Sequence, residues 1–367
     1  MSRSTFITAL VLVGMMLSCT SQTEEAKTPP ADEIKLSFAF IGCNRISYTD
    51  RKESNASKAN VPAVRRIFKE LTGMERRPEL LFFLGDMVLG EQDTSALSTQ
   101  LDAWVKQYKD PAFSGIATSG IELVAVTGNH EMLFYDVTTK GEYPLKGATE
   151  DWLTFMTEYM PSDRNQVPYD SLLNGATFSF VRDSIGFVVM NTDTYNEPKS
   201  GQQYGEEGRV PYKWVNEEVS RLGSDPGVKH LFTVGHRPYY VDGKYDTLHG
   251  GFPDGPKIWP TMLVNDVVAM IVAHQHNYQR WQPEGTGIYE VISGQGGTYS
   301  GPDTPKFYGY SIINIYESGR IELITKGWDL PNPTWGAAPQ NPTTTRDSTT
   351  LSYRPNANPY DNGTTGK

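Results

Sequence analysis

The chain has 367 residues, of which 38% are hydrophobic and 11% aromatic, and its formal net charge is −10. This length and composition exclude a disordered or fibrous protein and predict a globular one with a large core, in one or two domains. The acidic balance, without a run of clustered Lys and Arg, excludes a nucleic-acid scaffold. A small phosphate substrate stays compatible with it, because bound metal cations would reverse the local field.

The N-terminal segment predicts export. Arg3 precedes an apolar stretch, Phe6 to Leu17, which has the length of a signal-peptide h-region and is too short for a typical spanning helix. The following Met16-Leu17-Ser18-Cys19 resembles a bacterial lipobox. We therefore predict a signal peptide over 1–18, a lipid on Cys19 and a polar tether over 19–34. The protein is then a lipoprotein of the bacterial cell envelope, on its periplasmic or surface face. An ordinary cleaved signal, and thus secretion, is the alternative.

Strands and helices alternate in the first half. The patterns predict strands over 35–41, 80–84 and 121–126, and helices over 61–71 and 97–108. Each strand leads into a polar motif: Cys43-Asn44-Arg45, Gly85-Asp86 and Gly128-Asn129-His130-Glu131. This alternation predicts a layered α/β architecture with its chemistry at the carboxyl ends of the strands.

The second half begins with a segment, 132–174, that lacks sharp periodicity apart from a helix around 152–159 and is predicted to form a lid or an insertion. The elements predicted after it are a hairpin of 177–181 and 185–190, a helix over 207–222, and strands over 229–234, 266–272, 287–293, 309–316 and 320–326. These strands are consistent with a second sheet packed on the first. Residues 331–367, rich in Pro, Thr, Asn and Gly, predict a largely disordered tail, which leaves one domain over 35–330.

Four of the six histidines fall in three short motifs after predicted strands. The motifs are Gly128-Asn129-His130-Glu131, Gly235-His236-Arg237-Pro238, and His274 to Arg280 with His276 inside it. A single histidine at a strand end is usually a hydrogen-bonded loop residue. The ordered set, however, combines imidazole, carboxylate and amide ligands that suit Zn²⁺, Fe or Mn²⁺ and predicts a metal centre.

Together with Gly85-Asp86, these three motifs resemble four of the five signature blocks of the calcineurin-like metallophosphoesterases, over residues 35 to 326. The forms around His236-Arg237-Pro238 and His274-x-His276-x-Tyr278-x-Arg280, with the segment 288–297, most resemble purple acid phosphatases. The resemblance implies a four-layered α/β/β/α sandwich of two mixed sheets flanked by helices. It also implies hydrolysis of a small phosphate ester, a phosphomonoester ahead of a phosphodiester or nucleotide. Oligomeric state does not follow from it.

Carried over by position, the resemblance implies that Asp86 bridges two metal ions, for which Fe, Zn or Mn is expected. Asn129, His236 and His274 then complete one metal site, and His276 belongs to the other. Two such ions generate hydroxide at neutral pH and neutralise charge on the attacked phosphoryl group.

The resemblance also implies roles around the phosphate. His130 protonates the leaving alkoxide or positions the phosphate beside Asn129. Arg237 and Arg280 are candidate phosphate contacts, or else structural partners of nearby carboxylates.

The first signature block departs from the family pattern. It should read Asp-x-His, or contain an Asp alone in the purple branch, but the sequence has Cys43-Asn44-Arg45; Leu89 stands where that branch has a tyrosine. Three interpretations stay open. Cys43 is a thiolate ligand, as in some exported bacterial alkaline phosphatases, or Arg45 repels the first metal, or Cys43 is a small buried residue. The altered block also leaves an alternative function, a catalytically weak or inactive surface lipoprotein that acts as a binding protein.

Overall fold

The computed structural model describes residues 32–46, 55–90, 93–136, 138–139, 141–168, 175–194, 199–201, 208–241, 244–245, 252–282, 287–298, 307–330 and 341–353. The described residues from Glu33 onward belong to one compact unit. The predicted signal peptide, Cys19 and the tether up to residue 31 lie outside the described residues. Across the described ranges, no helix has the length and apolar character needed to cross a membrane.

The strands of these ranges belong to two large sheets and two small hairpins. They are β1 (Ile34–Ile41), β2 (Leu80–Leu84), β3 (Glu122–Val126), β4 (Leu133–Asp136), β5 (Gly141–Pro144), β6 (Asn165–Gln166), β7 (Phe178–Arg182), β8 (Ile185–Val189), β9 (His230–Val234), β10 (Tyr240–Val241), β11 (Lys244–Tyr245), β12 (Val267–Val272), β13 (Tyr278–Trp281), β14 (Tyr289–Ser293), β15 (Phe307–Tyr316), β16 (Arg320–Asp329) and β17 (Thr344–Tyr353). The α-helices are α1 (Val61–Thr72), α2 (Thr94–Lys109), α3 (Asn129–Met132), α4 (Ala148–Met156), α5 (Tyr212–Gly223) and α6 (Gly255–Val264). Short 3₁₀ turns lie at Ile116–Thr118 and Thr157–Tyr159.

The first large sheet has the strand order β17-β16-β15-β1-β2-β3. Strands β1, β2 and β3 run parallel, whereas β15 pairs antiparallel with β1 and is followed by β16 and β17 in antiparallel register. The strands predicted over 309–316 and 320–326 therefore extend the first sheet and not the second. Their partner is set by the long-range pairing of β15 with β1, which a local pattern does not encode.

The second large sheet has the order β13-β14-β12-β9-β8-β7-β6. Its four central strands, β14, β12, β9 and β8, are parallel, and the outer strands β13, β7 and β6 are antiparallel to their neighbours. Both sheets are thus mixed, as predicted.

Aromatic side chains join the two sheets face to face. The ring of Phe38 in β1 lies 5.2 Å from Phe187 and 5.3 Å from Phe232 of the second sheet, and Phe82 in β2 lies 5.1 Å from Phe187. Each of these side chains is fully buried. Burial of a large apolar side chain contributes about 1.5–3 kcal/mol, so this cluster is a main source of sandwich stability.

Helices cover both outer faces. Phe83, next to the inward-facing Phe82, points the other way and packs 5.4 Å from Trp104 of α2, as strand alternation requires. On the far side, α5 and α6 share a buried cluster with Val188, Met270 and Val272 of the second sheet. The four-layered α/β/β/α arrangement is therefore confirmed.

The local sequence explains where α1 begins and ends. Asn60 caps it by accepting the N–H of Ala63 at 3.3 Å, Pro62 lies in its first turn, and Gly73 follows its last residue. Its buried positions recur at helical spacing and face the first sheet: Val64, Ile67, Phe68 and Leu71.

The C-terminal tail differs from the prediction over part of its length. Strand β17 lies inside the predicted disordered segment 331–367 and pairs with β16 from Arg320↔Tyr353 to Gly327↔Thr344. The prediction is wrong there, because a polar composition does not prevent an edge strand rich in Thr from using the free hydrogen-bonding groups of β16. Residues 331–340 and 354–367 lie outside the described residues.

The segment 132–174 has regular structure of its own up to residue 168. It contains the hairpin of β4 and β5, the helix α4 and the short strand β6, which pairs with β7. Trp152 of α4 is fully buried in the main core, so this part of the segment is tied to the domain. Its function as a lid stays a prediction.

Candidate metal centre

The candidate site lies at the carboxyl ends of five parallel strands, three from the first sheet and two from the second. Cys43 follows β1, Asp86 follows β2, Asn129 and His130 follow β3, His236 follows β9, and His274 follows β12. All six side chains are buried or half-buried. The sandwich therefore brings together residues from Cys43 to His274, which are far apart along the chain.

The backbone at these strand ends is strained. Cys43, Asp86 and His274 have φ values of 58°, 54° and 62°, in the left-handed region that non-glycine residues avoid. Each such residue costs about 1–3 kcal/mol and persists only where its surroundings hold it. Here the N–H of Cys43 donates to the carbonyl of Gly85 at 3.1 Å and fixes one loop on the next. Strain of this kind marks functional sites.

Gly128 allows the second and third strand ends to approach each other. A Cβ at this position would lie 2.3 Å from the backbone nitrogen of Asp86 and 2.6 Å from its Oδ1. Only glycine fits such contacts, and so the glycine places Asp86 directly beside Asn129.

Glu131 organises the same pair of loops. Its fully buried carboxylate accepts the N–H groups of Asp86 at 3.0 Å, Met87 at 2.7 Å, Val88 at 3.2 Å and Gly128 at 2.9 Å. Burial, together with the charge of Asp86, raises the pKa of Glu131 to about 7, against the effect of the N–H donors. The sequence motif contained Glu131, but its positioning role was missed, because nothing local indicates which backbone groups it accepts.

His236 directs one ring nitrogen into the site. Its Nδ1 donates to the carbonyl of Leu84 at 2.6 Å, which leaves Nε2 as the ring nitrogen directed at the site. That Nε2 lies 3.0 Å from Oδ1 of Asn129 and 3.3 Å from Oδ1 of Asp86. Three potential metal-ligand atoms thus lie close together, with both oxygens within 3.3 Å of Nε2.

His274 completes this group. Its Nδ1 lies 3.0 Å from Oδ1 of Asn129 and 3.3 Å from Nε2 of His236. Burial, and next to it the positive charge of Arg237, lowers the pKa of His274 well below its usual range, so the ring is a neutral, ligand-competent imidazole. A metal cation among Asp86, Asn129, His236 and His274 would accept lone pairs from all four side chains. Their mixed N and O donors fit Zn²⁺, Fe or Mn²⁺.

Cys43 lies next to the same atoms. Its Sγ forms a group with Asp86 and His236 in which the potential ligand atoms all lie within 4.8 Å of one another. Of the residues the structure describes, this is the one group of three acidic, histidine or cysteine side chains so arranged. Burial and the charge of Asp86 raise the pKa of the Cys43 thiol, and a bound metal ion would reverse this effect. The thiolate-ligand interpretation stays a prediction with favourable geometry.

Arg45 also reaches the site. Its Nε lies 3.4 Å from Oδ2 of Asp86, and the two side chains are 8% and 1% exposed. Although burial opposes it, the charges of His236, His130 and Arg45 hold the pKa of Asp86 below its usual range. His276, expected in the second metal site, is half-buried beside the site and falls outside the compact group of Cys43, Asp86 and His236.

His130 is oriented by backbone groups. Its Nδ1 donates to the carbonyl of Leu89 at 2.8 Å, and its own N–H donates to Oδ1 of Asp86 at 3.2 Å. Leu89 thus takes part through its main chain, although its side chain differs from the tyrosine of the purple branch. No sequence signal indicates such a contact, since any residue supplies a carbonyl.

The two candidate phosphate contacts each have a carboxylate partner. Nε of Arg237 donates to Asp193, and Nε of Arg280 donates to Oδ2 of Asp347 at 2.7 Å. This geometry matches the structural-partner alternative for both arginines, and their contact with phosphate stays a prediction. The sequence interpretation missed Asp193 and Asp347, whose partners lie 44 and 67 residues away along the chain.

A protein family and several solved structures are similar to this chain. A family model described as calcineurin-like phosphoesterase matches residues 37–278. No curated protein matches the chain. Similar solved structures include GAP50, "the anchor in the inner membrane complex of Plasmodium", which is 13% identical with a TM-score of 0.47 and coverage of 87% of this chain and 89% of that one. PhoD is 14% identical with a TM-score of 0.49 and coverage of 88% and 70%. A putative 5′-nucleotidase from Staphylococcus aureus is 12% identical with a TM-score of 0.46 and coverage of 79% and 53%.

Proposed function

The chain belongs to the calcineurin-like phosphoesterase family, and from this premise we propose that it is a metal-dependent hydrolase of phosphate esters. The observation that carries the proposal is the convergence of three potential ligand atoms: Nε2 of His236 lies 3.0 Å from Oδ1 of Asn129 and 3.3 Å from Oδ1 of Asp86. Buried imidazole, carboxylate and amide groups in this arrangement suit a metal cation. Phosphomonoesters are the favoured substrates, with phosphodiesters or nucleotides next.

Asp86, Asn129, His236 and His274 would hold the metal ion, with Cys43 as a further ligand. A bound Zn²⁺, Fe or Mn²⁺ supplies Lewis-acid chemistry at the phosphoryl group. The chain supplies the rest. The bond from Nδ1 of His236 to the carbonyl of Leu84 keeps its Nε2 directed at the site, and the carboxylate of Glu131 fixes the loop that carries Asp86.

His130 is proposed as the general acid. Because its Nδ1 proton is committed to the carbonyl of Leu89, Nε2 is the nitrogen that can gain a proton and give it to the leaving alkoxide. Asn129, the preceding residue, would help to position the phosphate. Arg237, 7% exposed and near enough to His274 to influence its charge state, is the better of the two arginine candidates for a phosphate contact.

The test is hydrolysis of p-nitrophenyl phosphate and of bis-p-nitrophenyl phosphate after supplementation with Zn²⁺, Mn²⁺ or Fe²⁺. We expect the monoester to be the better substrate and His236→Ala to abolish turnover. His230→Ala is the matched control, because His230 lies at the opposite end of the same strand β9 and should leave turnover unchanged. If neither ester is hydrolysed with any of the three metals, the proposal is contradicted.

The alternative function is a non-catalytic binding protein, and one observation favours it. Arg45, in the altered first block, lies against the carboxylate of Asp86 and brings a permanent positive charge to the centre. If this charge prevents turnover, the protein would bind a phosphate ester without hydrolysing it. Calorimetric binding of p-nitrophenyl phosphate without product formation, unchanged in His130→Ala, would support this alternative.

Export and lipidation are part of the proposal and rest on Arg3, the apolar stretch from Phe6 to Leu17, and Cys19. The lipid on Cys19 would hold the protein on the membrane, so that the membrane is its proposed partner. Metabolic labelling with a radioactive fatty acid in a bacterial host is the test. We expect label in the wild type and none in Cys19→Ser, whereas label in neither would mean a secreted protein.

A further inference from the structure

The two carboxylate oxygens of Asp86 face different partners. Oδ1 accepts the N–H of His130 at 3.2 Å and lies 3.3 Å from Nε2 of His236. This oxygen therefore faces the potential metal ligands. Oδ2 lies 3.4 Å from Nε of Arg45. The carboxylate that would bridge two cations therefore spans one group of potential metal ligands and one guanidinium.

Arg45 is a fixed part of the site. Its backbone N–H donates to the carbonyl of Asp86 at 2.9 Å, and its own carbonyl accepts the hydroxyl of Thr298 at 2.9 Å. Its NH1 group donates to the carbonyl of Ile46 at 3.1 Å, and its side chain is 8% exposed. Main-chain and side-chain contacts together hold the guanidinium beside Asp86.

A guanidinium has no lone pair for a metal ion and keeps its proton at any ordinary pH. It therefore cannot replace a histidine ligand, and its charge repels a divalent cation placed against the same carboxylate oxygen. It does, however, satisfy the negative charge of Asp86, which is what a second metal ion would do there. Leu89, an apolar side chain, adds no ligand on this side.

We propose that the guanidinium of Arg45 takes the place of one of the two metal ions, so that the chain binds a single metal ion per molecule. The inference rests on the proposed function only for the existence of a metal centre, and it concerns how many ions that centre holds. The remaining ion is bound on the Oδ1 side of Asp86, where Asn129 and His236 converge.

The experiment is metal analysis by mass spectrometry of the purified full chain after equilibration with Zn²⁺ or Mn²⁺ and removal of the excess. We expect one ion per chain in the wild type. Arg45→Lys keeps the charge and should keep one ion, whereas Arg45→His removes the charge, adds a ligand and should bind two. Arg182→His is the matched control, because Arg182 pairs at the surface with Glu122, and it should keep one ion.

Two ions in the wild type would overturn the inference, and so would one ion in a folded Arg45→His variant, as judged by circular dichroism. If Arg45→His does not fold, the wild-type and Arg45→Lys contents decide alone. The failure of the proposed function has a different signature. If the wild type binds one ion but hydrolyses neither ester, the proposed phosphatase function is refuted and the inference stands. If it binds two ions and hydrolyses an ester, the inference is refuted and the proposed function stands.

Discussion

Arg280 donates from Nε to Oδ2 of Asp347 at 2.7 Å and from NH2 to Oδ1 at 3.3 Å, which joins β13 of the second sheet to β17 of the first. The hydroxyl of Tyr278 donates to the same carboxylate at 2.5 Å. Tyr278 and Arg280 belong to the same motif as His276. Because Asp347 of β17 binds both of them, this strand holds in place the segment that carries the candidate ligand His276. The ion pair with Asp347 also indicates a structural role for Arg280.

Asp347→Ala should therefore destabilise the fold. It leaves two partly buried donors without their acceptor, and we expect a loss of about 1–2 kcal/mol in the free energy of unfolding, after allowance for solvent screening. Urea denaturation is the measurement. The control is Asp329→Ala in the neighbouring strand β16, whose side chain is 70% exposed and pairs with Arg346, and which should change stability little. Equal effects of the two substitutions would contradict the structural role of Asp347.

Glu131→Ala should be among the most damaging substitutions at the site. It removes the acceptor of four buried N–H groups, and we expect a loss of about 3–5 kcal/mol in the free energy of unfolding. Glu217→Ala on the exposed face of α5 is the control, with an expected change within about 0.5 kcal/mol. A small effect of Glu131→Ala on chemical denaturation would mean that water replaces the carboxylate.

Stability should depend on pH through Glu290. This carboxyl is fully buried and accepts the N–H groups of Tyr239 at 2.5 Å and Tyr240 at 2.9 Å. Burial raises the pKa of Glu290 from 4.5 to about 8, although the two N–H donors oppose it. Between these values the folded protein retains a proton that the unfolded chain has released. The free energy of unfolding should thus fall as pH rises, by at most about 1.4 kcal/mol per pH unit.

The variant Glu290→Gln isolates this contribution, because its side chain is neutral at every pH. Urea denaturation from pH 5 to pH 8.5 should give a steeper decline for the wild type than for the variant. Parallel curves for the two proteins would show that Glu290 ionises normally in the folded state.

His130→Gln should reduce kcat by about 10²–10⁴-fold if His130 is the general acid. The loss should be smaller for p-nitrophenyl phosphate than for phenyl phosphate, whose poorer leaving group needs the proton more. Metal content is the control and should not change. An equal loss for both substrates would assign His130 to positioning the phosphate.

Cys43→Ser should weaken Zn²⁺ binding more than Mn²⁺ binding, because a thiolate is a soft ligand and its loss matters little to a hard cation. Competition with a chelating dye measures both dissociation constants. We expect a weakening of about 10-fold or more for Zn²⁺. Unchanged Zn²⁺ affinity, with the fold intact, would make Cys43 a buried residue without a ligand role.

The sequence by itself determined the main elements and the family. Buried apolar runs such as 80–84 encode strands locally, and the glycine-led motifs after them name Asp86, Asn129, His236 and His274 as a set. The family-model match over residues 37–278 confirms family membership, while the purple acid phosphatase branch stays a prediction. The tail was misread because Thr-rich composition is compatible both with disorder and with an edge strand such as β17.

Only the tertiary structure decided which groups meet. Arg45 and Asp86 are 41 residues apart, and Arg280 and Asp347 are 67 apart, so each contact depends on strand order and sheet packing and not on local pattern. The same holds for the carbonyl of Leu89, which orients His130 whatever its side chain is. Strand periodicity is a short-range property of the chain, whereas hydrogen bonds and ion pairs at a strand end are set by the neighbouring strands.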